Sequence, residues 1–184
     1  MRTRTTSTAL LAAVALVLAP TASFAQRDAV PDKVGDAPAA VDISQVKTGH
    51  RLGSIRVVAQ IPDLDLSHLS GTEVLIKTPG IKKVYAVTVL RDRDGDVVST
   101  SLSWRPKNDP VEPKVLPCDD LRTTAHAEKG KVMVMVAKSC LTRTSSDRAI
   151  KALVRVVDGT SDLAGSYWDD QAPFSPKLAP GRAN

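Results

Sequence analysis

The feature that most constrains this chain is a change of rhythm at Val41. From there on, short runs of β-branched and aliphatic residues alternate with polar ones and are cut by Gly, Pro, Asp and Asn. No segment sustains apolar residues at helical spacing over three turns. Short runs bounded by turn residues at regular intervals are the pattern of a sandwich or barrel. Strands are predicted over Asp42–Thr48, Ser54–Gln60, Glu73–Lys77, Lys83–Arg91, Asp96–Trp104, Leu121–Ala127, Lys131–Ala137 and Ala149–Val157. The expected fold is all-β: an antiparallel β-sandwich, jelly-roll or immunoglobulin-like, over 41–175. An extended lead-in over 26–40 precedes it and a flexible tail over 176–184 follows.

Residues 1–25 read as a cleavable signal peptide. Arg2 and Arg4 precede an uncharged apolar stretch, Ala9–Ala19; Pro20 ends it, and Ser23-Phe24-Ala25 places small residues at −3 and −1 of a cleavage site. The apolar stretch is too short for an anchor, which needs ~20 residues, so the mature chain is expected to lack a membrane span and to be secreted. Cleavage leaves about 160 residues, enough for one domain with a sizeable core. It also removes two of the arginines behind the formal net charge of +5. The remaining mild excess of cations suits an anionic partner such as a cell-wall polymer. No stretch clusters Lys and Arg with aromatics, so nucleic acid is not expected.

Two hairpins allow a register argument. Asp94-Gly95 is a type I′ turn signal. A two-residue loop there sets Tyr85 opposite Trp104, Val87 opposite Leu102 and Val89 opposite Thr100, all on a core face. Ser99, Ser101 and Ser103 then fall on the other face with Leu90, Thr88 and Ala86. In the second hairpin, a three-residue loop Glu128-Lys129-Gly130 opposes Ala127 to Lys131 and Cys118 to Cys140. Opposed residues have Cα atoms ~4.5–5.5 Å apart, within disulfide reach, and an exported chain keeps such bonds. A Cys118–Cys140 disulfide is predicted.

Signals for catalysis are poor. There is no G-x-S-x-G, P-loop, H-E-x-x-H or dinucleotide glycine pattern. His50, His68 and His126 share no ligand spacing, and both cysteines are committed to the bridge. Asp92, Asp94 and Asp96 suggest a calcium loop at first sight, but the glycine slot is wrong and the closing Glu is missing. They read as a hairpin turn. Among the large aromatics, Trp104 is assigned to the core, whereas Tyr167 and Trp168 could present one ring each way as a ligand-binding platform.

Asp32-Lys33-Val34-Gly35-Asp36, a spacer, and then Val41-Asp42-Ile43 form an opening that resembles small secreted β-sandwich proteins of high-GC Gram-positive bacteria. It is also similar to the opening of DOMON-like and family-9 carbohydrate-binding-like sandwiches. Val136-Ala137-Lys138-Ser139-Cys140-Leu141 and Asp169-Asp170-Gln171-Ala172-Pro173 are similar to later steps of the first group. The resemblance implies a calcium site to which Asp32, Asp36 and a late acid such as Asp169 contribute; the plainer reading gives these aspartates turn bonds to backbone amides. The expected function is a non-enzymatic binding or structural module for carbohydrate or an anionic cell-surface polymer. Two alternatives stand beside it: a hydrolase with a carboxylate pair, and a partner-binding inhibitor with a rigid loop around Asn108–Val115.

Overall fold

The computed structural model describes residues 26–78, 80–106, 112–141, 149–159, 170–171, 175 and 177–179. The expected signal peptide, Tyr167, Trp168, Asp169 and residues 108–111 of the 108–115 loop lie outside them. In chain order the strands are β1 (Gln26–Pro31), β2 (Gln45–His50), β3 (Ser54–Gln60), β4 (Leu69–Lys77), β5 (Lys83–Arg91), β6 (Val97–Pro106), β7 (Lys114–Leu116), β8 (Leu121–His126), β9 (Lys131–Ala137), β10 (Lys151–Asp158) and β11 (Asp170–Gln171). They form two antiparallel sheets, ordered β1-β2-β3-β9-β8 and β11-β10-β4-β5-β6-β7. Among the described residues, no helix is long and apolar enough to cross a membrane.

The core follows from the period of two. Val46, Ile55, Val57, Ala59, Val132, Val134 and Val136 point inward from the first sheet. Val74, Ile76, Tyr85, Val87, Val89, Leu102, Val154 and Val156 meet them from the second, and all belong to one buried cluster. Each such aliphatic side chain contributes roughly 1.5–3 kcal/mol over exposure. The predicted all-β sandwich is therefore the fold.

The β5–β6 hairpin keeps the expected pairs, Tyr85↔Trp104, Val87↔Leu102 and Val89↔Thr100. Its turn differs from the expected type. A type I′ turn needs positive φ at both central residues, and among the described residues only glycines have it. Instead the Gly95 N–H donates to Asp92 O at 3.1 Å and the Asp92 N–H to Asp96 O at 3.0 Å. The Asp92 carboxylate accepts the N–H groups of Asp94 and Asp96, and Gly95 takes φ 84°. This longer loop sets Arg91 opposite Val97; a bulge between Leu90 and Arg91 then restores Leu90↔Ser99. The longer loop and the bulge cancel, so the body of the hairpin has the register that the shorter loop would have given.

Trp104 corrects a second expectation. It is half-buried at the margin of the core, with Lys83 Nζ 4.3 Å from its ring centroid. Among the described residues only the three-residue β7 lies outside β6, and Trp104 pairs with Lys114 at its start, so the described sheet ends too soon to enclose the ring.

The β8–β9 hairpin is one residue out of the expected register: His126, not Ala127, pairs with Lys131. Ala127–Lys129 form a 3₁₀ turn closed by left-handed Gly130, which lengthens the loop by one residue. The shift turns Leu121 toward Val136 and the core. A second 3₁₀ turn, Lys138–Cys140, follows β9. The disulfide Cys118–Cys140 forms as predicted, with a Cα–Cα distance of 5.2 Å.

The expected lead-in begins as an edge strand, β1, paired along its whole length with β2. The tail expected to be free from 176 is tied at Leu178, which is 1 % exposed. Leu178 exchanges both backbone hydrogen bonds with Ile150 at 2.9 Å, and its carbonyl lies 3.2 Å from Nδ1 of buried His50.

Candidate anion-binding face

Strands β2, β3, β8 and β9 contain no Asp or Glu. Since alternate residues of a strand share a face, their Lys and Arg positions collect on the outside of the first sheet. Cross-strand pairing arranges them in rows. One row runs Arg27, Gly49, Arg56, Met135, Arg122. The next runs Ala29, Lys47, Val58, Met133, Thr124, and the third Pro31, Gln45, Gln60, Lys131, His126. None of these positions carries a carboxylate.

The β1 side of this face holds an open groove of about 590 Å³. Its cationic lining is Arg27, Lys47, Arg51, Arg56 and Lys131, and its apolar floor includes Ala29, Gly49 and Val58. Asp28 is the one carboxylate among the lining residues; it pairs with Thr48 in the core-facing row. Among the described residues none of the five cations has a carboxylate partner. Arg56 instead donates from Nε to the Met133 thioether at 2.9 Å, a weak acceptor that orients the guanidinium without neutralising it. A Cβ at Gly49 would meet the Arg27 stem at 3.8 Å and the Arg56 carbonyl at 3.9 Å, so the missing side chain leaves the space between the two arginines open.

Most loop carboxylates collect at one end of the sandwich instead. Asp32, Asp36 and Asp42 lie between β1 and β2, Asp63 and Asp65 between β3 and β4, and Asp92, Asp94 and Asp96 between β5 and β6, with Glu128 in the β8–β9 turn. These loops touch: Asp65 N–H donates to Ala40 O and Ile61 N–H to Gly130 O, and Gly95 packs on Leu66. Arg51 and Lys138 lie at the opposite end, where the Lys138 N–H donates to Gly53 O, together with Asp119 and Asp120 in the turn before β8.

The predicted metal residues divide. Asp169 lies outside the described residues. Asp32 and Asp36 are close enough that repulsion acts between them. Partial burial, opposed by the Lys33 N–H bond and reinforced by Asp36 and Asp42, holds the Asp32 carboxyl above its ordinary value. Asp42, 6 % exposed, accepts the Gly35 N–H at 2.6 Å, the turn bond of the plainer reading. One oxygen each of Asp32 and Asp42 is buried without a protein partner. Among the described residues, no group of three or more His, Cys, Asp or Glu side chains could hold a metal ion.

The histidines remain scattered. His50 is buried, His126 is exposed at a hairpin tip, and His68 Nδ1 lies 3.4 Å from the buried Asp158 carboxylate. Val115, in the loop proposed for a partner, is 67 % exposed on β7.

Sequence reasoning missed the basic face because its cations lie far apart in the chain and meet only through pairing. A signal was present: four strand segments without a carboxylate, each with Lys, Arg or His at outward positions. No protein-family model and no curated protein matches this chain.

Proposed function

We propose that this protein is an exported, non-enzymatic binding module that holds an anionic polymer on the outer face of its first sheet. The reading is carried by the groove, where five cations without carboxylate partners among the described residues surround an apolar floor. Unpaired cations near one another repel, so a partner that neutralises them gains Coulomb energy that the free protein forgoes. The acidic loops discourage the same partner from the far end of the strands, which confines it to this face. Export is supported by the N-terminal leader pattern and by the disulfide, since such bonds persist in oxidising compartments. A neutral carbohydrate is the weaker reading: Trp104 is half-buried beneath Lys83 and offers no open ring face on that side.

The test is calorimetric titration of the purified protein with long-chain polyphosphate and with dextran. Polyphosphate should bind, and raising the salt should weaken it steeply. Lys47→Glu/Arg56→Glu should reduce binding at least tenfold while leaving the melting temperature within a few degrees. Equal binding by the parent and the double variant would reject this face, and tighter binding of dextran would favour the carbohydrate reading.

A further inference from the structure

The row nearest the Arg51 end contains Arg27, Arg56 and Arg122 on alternate strands, with Gly49 and Met135 between them. Arg27 and Arg122 sit on the two edge strands, so the row crosses the whole sheet. Neighbouring strands are ~4.8 Å apart, which spaces these arginines by roughly 10 Å and the full row by roughly 20 Å. No acid interrupts it, and the residues between are a glycine and a half-buried methionine.

From this spacing we infer that the ligand is a linear polymer of tetrahedral oxyanions, phosphate or sulfate, separated by uncharged spacers. It lies across the strands, with successive anions on Arg27, Arg56 and Arg122. The inference rests on the binding reading above and deepens it. The guanidinium fork matches the geometry of such anions and binds them in bidentate fashion. Two neighbouring arginines about 10 Å apart at their backbones could share one anion, but Arg27 and Arg122, roughly 20 Å apart with Arg56 between them, cannot, so affinity should grow with chain length until the third arginine is reached. A polymer running along the strands would instead end against the acidic loops. Arg122 is the diagnostic residue because it lies outside the groove and matters only if the ligand spans the row.

The experiment compares oligomers of glycerol phosphate of defined length, from one phosphate to eight, with a matched series of sulfated oligosaccharides. For the parent protein, affinity should rise steeply between one and three or four anions, as multivalent binding does. Arg122→Ala should lower the affinity of the longest oligomer about tenfold and that of the single-anion probe far less. Arg122→Lys should recover part of that loss. The series with the steeper rise identifies the anion. If Arg122→Ala leaves the longest oligomer unaffected while Arg56→Glu still abolishes binding, the groove binds anions and the cross-strand path is wrong. If Arg56→Glu also has no effect, the binding reading itself fails.

Discussion

Arg27 and Arg56 occupy one cross-strand row with only Gly49 between them. Two cations this close with no side chain separating them leave a gap of one residue in an otherwise continuous sheet surface. Gly49 does not need its glycine for backbone reasons, since it is not among the positive-φ glycines, and a Cβ there would make only ordinary contacts. Gly49→Val should therefore fill the gap without strain. Glycine inside a strand costs roughly 0.5–1 kcal/mol against alanine, and valine favours strands, so the variant should melt at or above the parent temperature. Polyanion binding should fall severalfold in the same preparation. A less stable variant that binds as well as the parent would contradict both halves of this expectation.

Asp32 should give a pH dependence of unusual sign. Its carboxyl is held above the ordinary value in the folded protein, so between the unfolded and folded values the native state binds more protons. Stability from this group then falls as pH rises through that window. Asp32→Asn keeps an oxygen for the Lys33 N–H, which donates to Asp32 at 3.0 Å, and removes the charge. In metal-free buffer the variant should melt higher than the parent at pH 7, and the difference should vanish at pH 3. Melting curves at the two pH values decide this; a parent that is the more stable at pH 7 would show that Asp32 is stabilising as a carboxylate.

The β6 strand offers a contrast between its two faces. Leu102 is 1 % exposed and packs in the core, so Leu102→Ala should cost about 2–5 kcal/mol. Ser99, three residues away on the outer face and exposed, should tolerate alanine within about 0.5 kcal/mol. Trp104→Ala should fall between them, because the ring is only partly enclosed. Urea melts of the three variants measure the order, and a Trp104 effect larger than that of Leu102 would place the ring deeper than its half-buried position.

Three left-handed glycines should respond differently to alanine. At Gly35, φ is 88° and nothing lies within 4 Å of where a Cβ would sit, so only the backbone cost applies, about 1–2 kcal/mol. At Gly130 a Cβ would lie 2.6 Å from the Ile61 carbonyl oxygen, and at Gly95 2.7 Å from Leu66 Cβ. Both should cost more than Gly35→Ala, and Gly130 most, because its obstacle is backbone. Chemical denaturation of the three variants tests the ranking.

How much of this could be read from the sequence depended on whether the deciding interaction was local. The β5–β6 pairing was legible because Tyr85, Val87, Val89 and Leu102 fit one face in only one register, and that constraint overrode a misjudged turn. The β8–β9 register was not, because Leu121-Arg-Thr-Thr-Ala-His carries too few apolar residues to outvote the loop. β1 was missed for a similar reason: Gln26-Arg-Asp-Ala-Val-Pro31 has no alternating apolar set, and only its partner β2 makes it a strand. For the candidate site, each cation was visible alone, but the rows that unite Arg27, Arg56 and Arg122 exist only once the separate hairpin and cross-sheet pairings are known.

The disulfide has a consequence for how the molecule opens. Among the described residues β8 is an outer strand, held along one side only, by β9, and outer strands are where a sheet ordinarily frays or accepts a foreign strand. One end of β8 runs into the tight turn at Gly130, and the other is fastened just ahead of Leu121 by the bond from Cys118 to Cys140. With both ends tied to the same neighbour, β8 cannot peel away from either end or slide along β9. The β8 amides that bond to β9 should therefore exchange with solvent only when the whole domain unfolds, and reduction should turn them into a locally labile segment in a protein that otherwise stays closed.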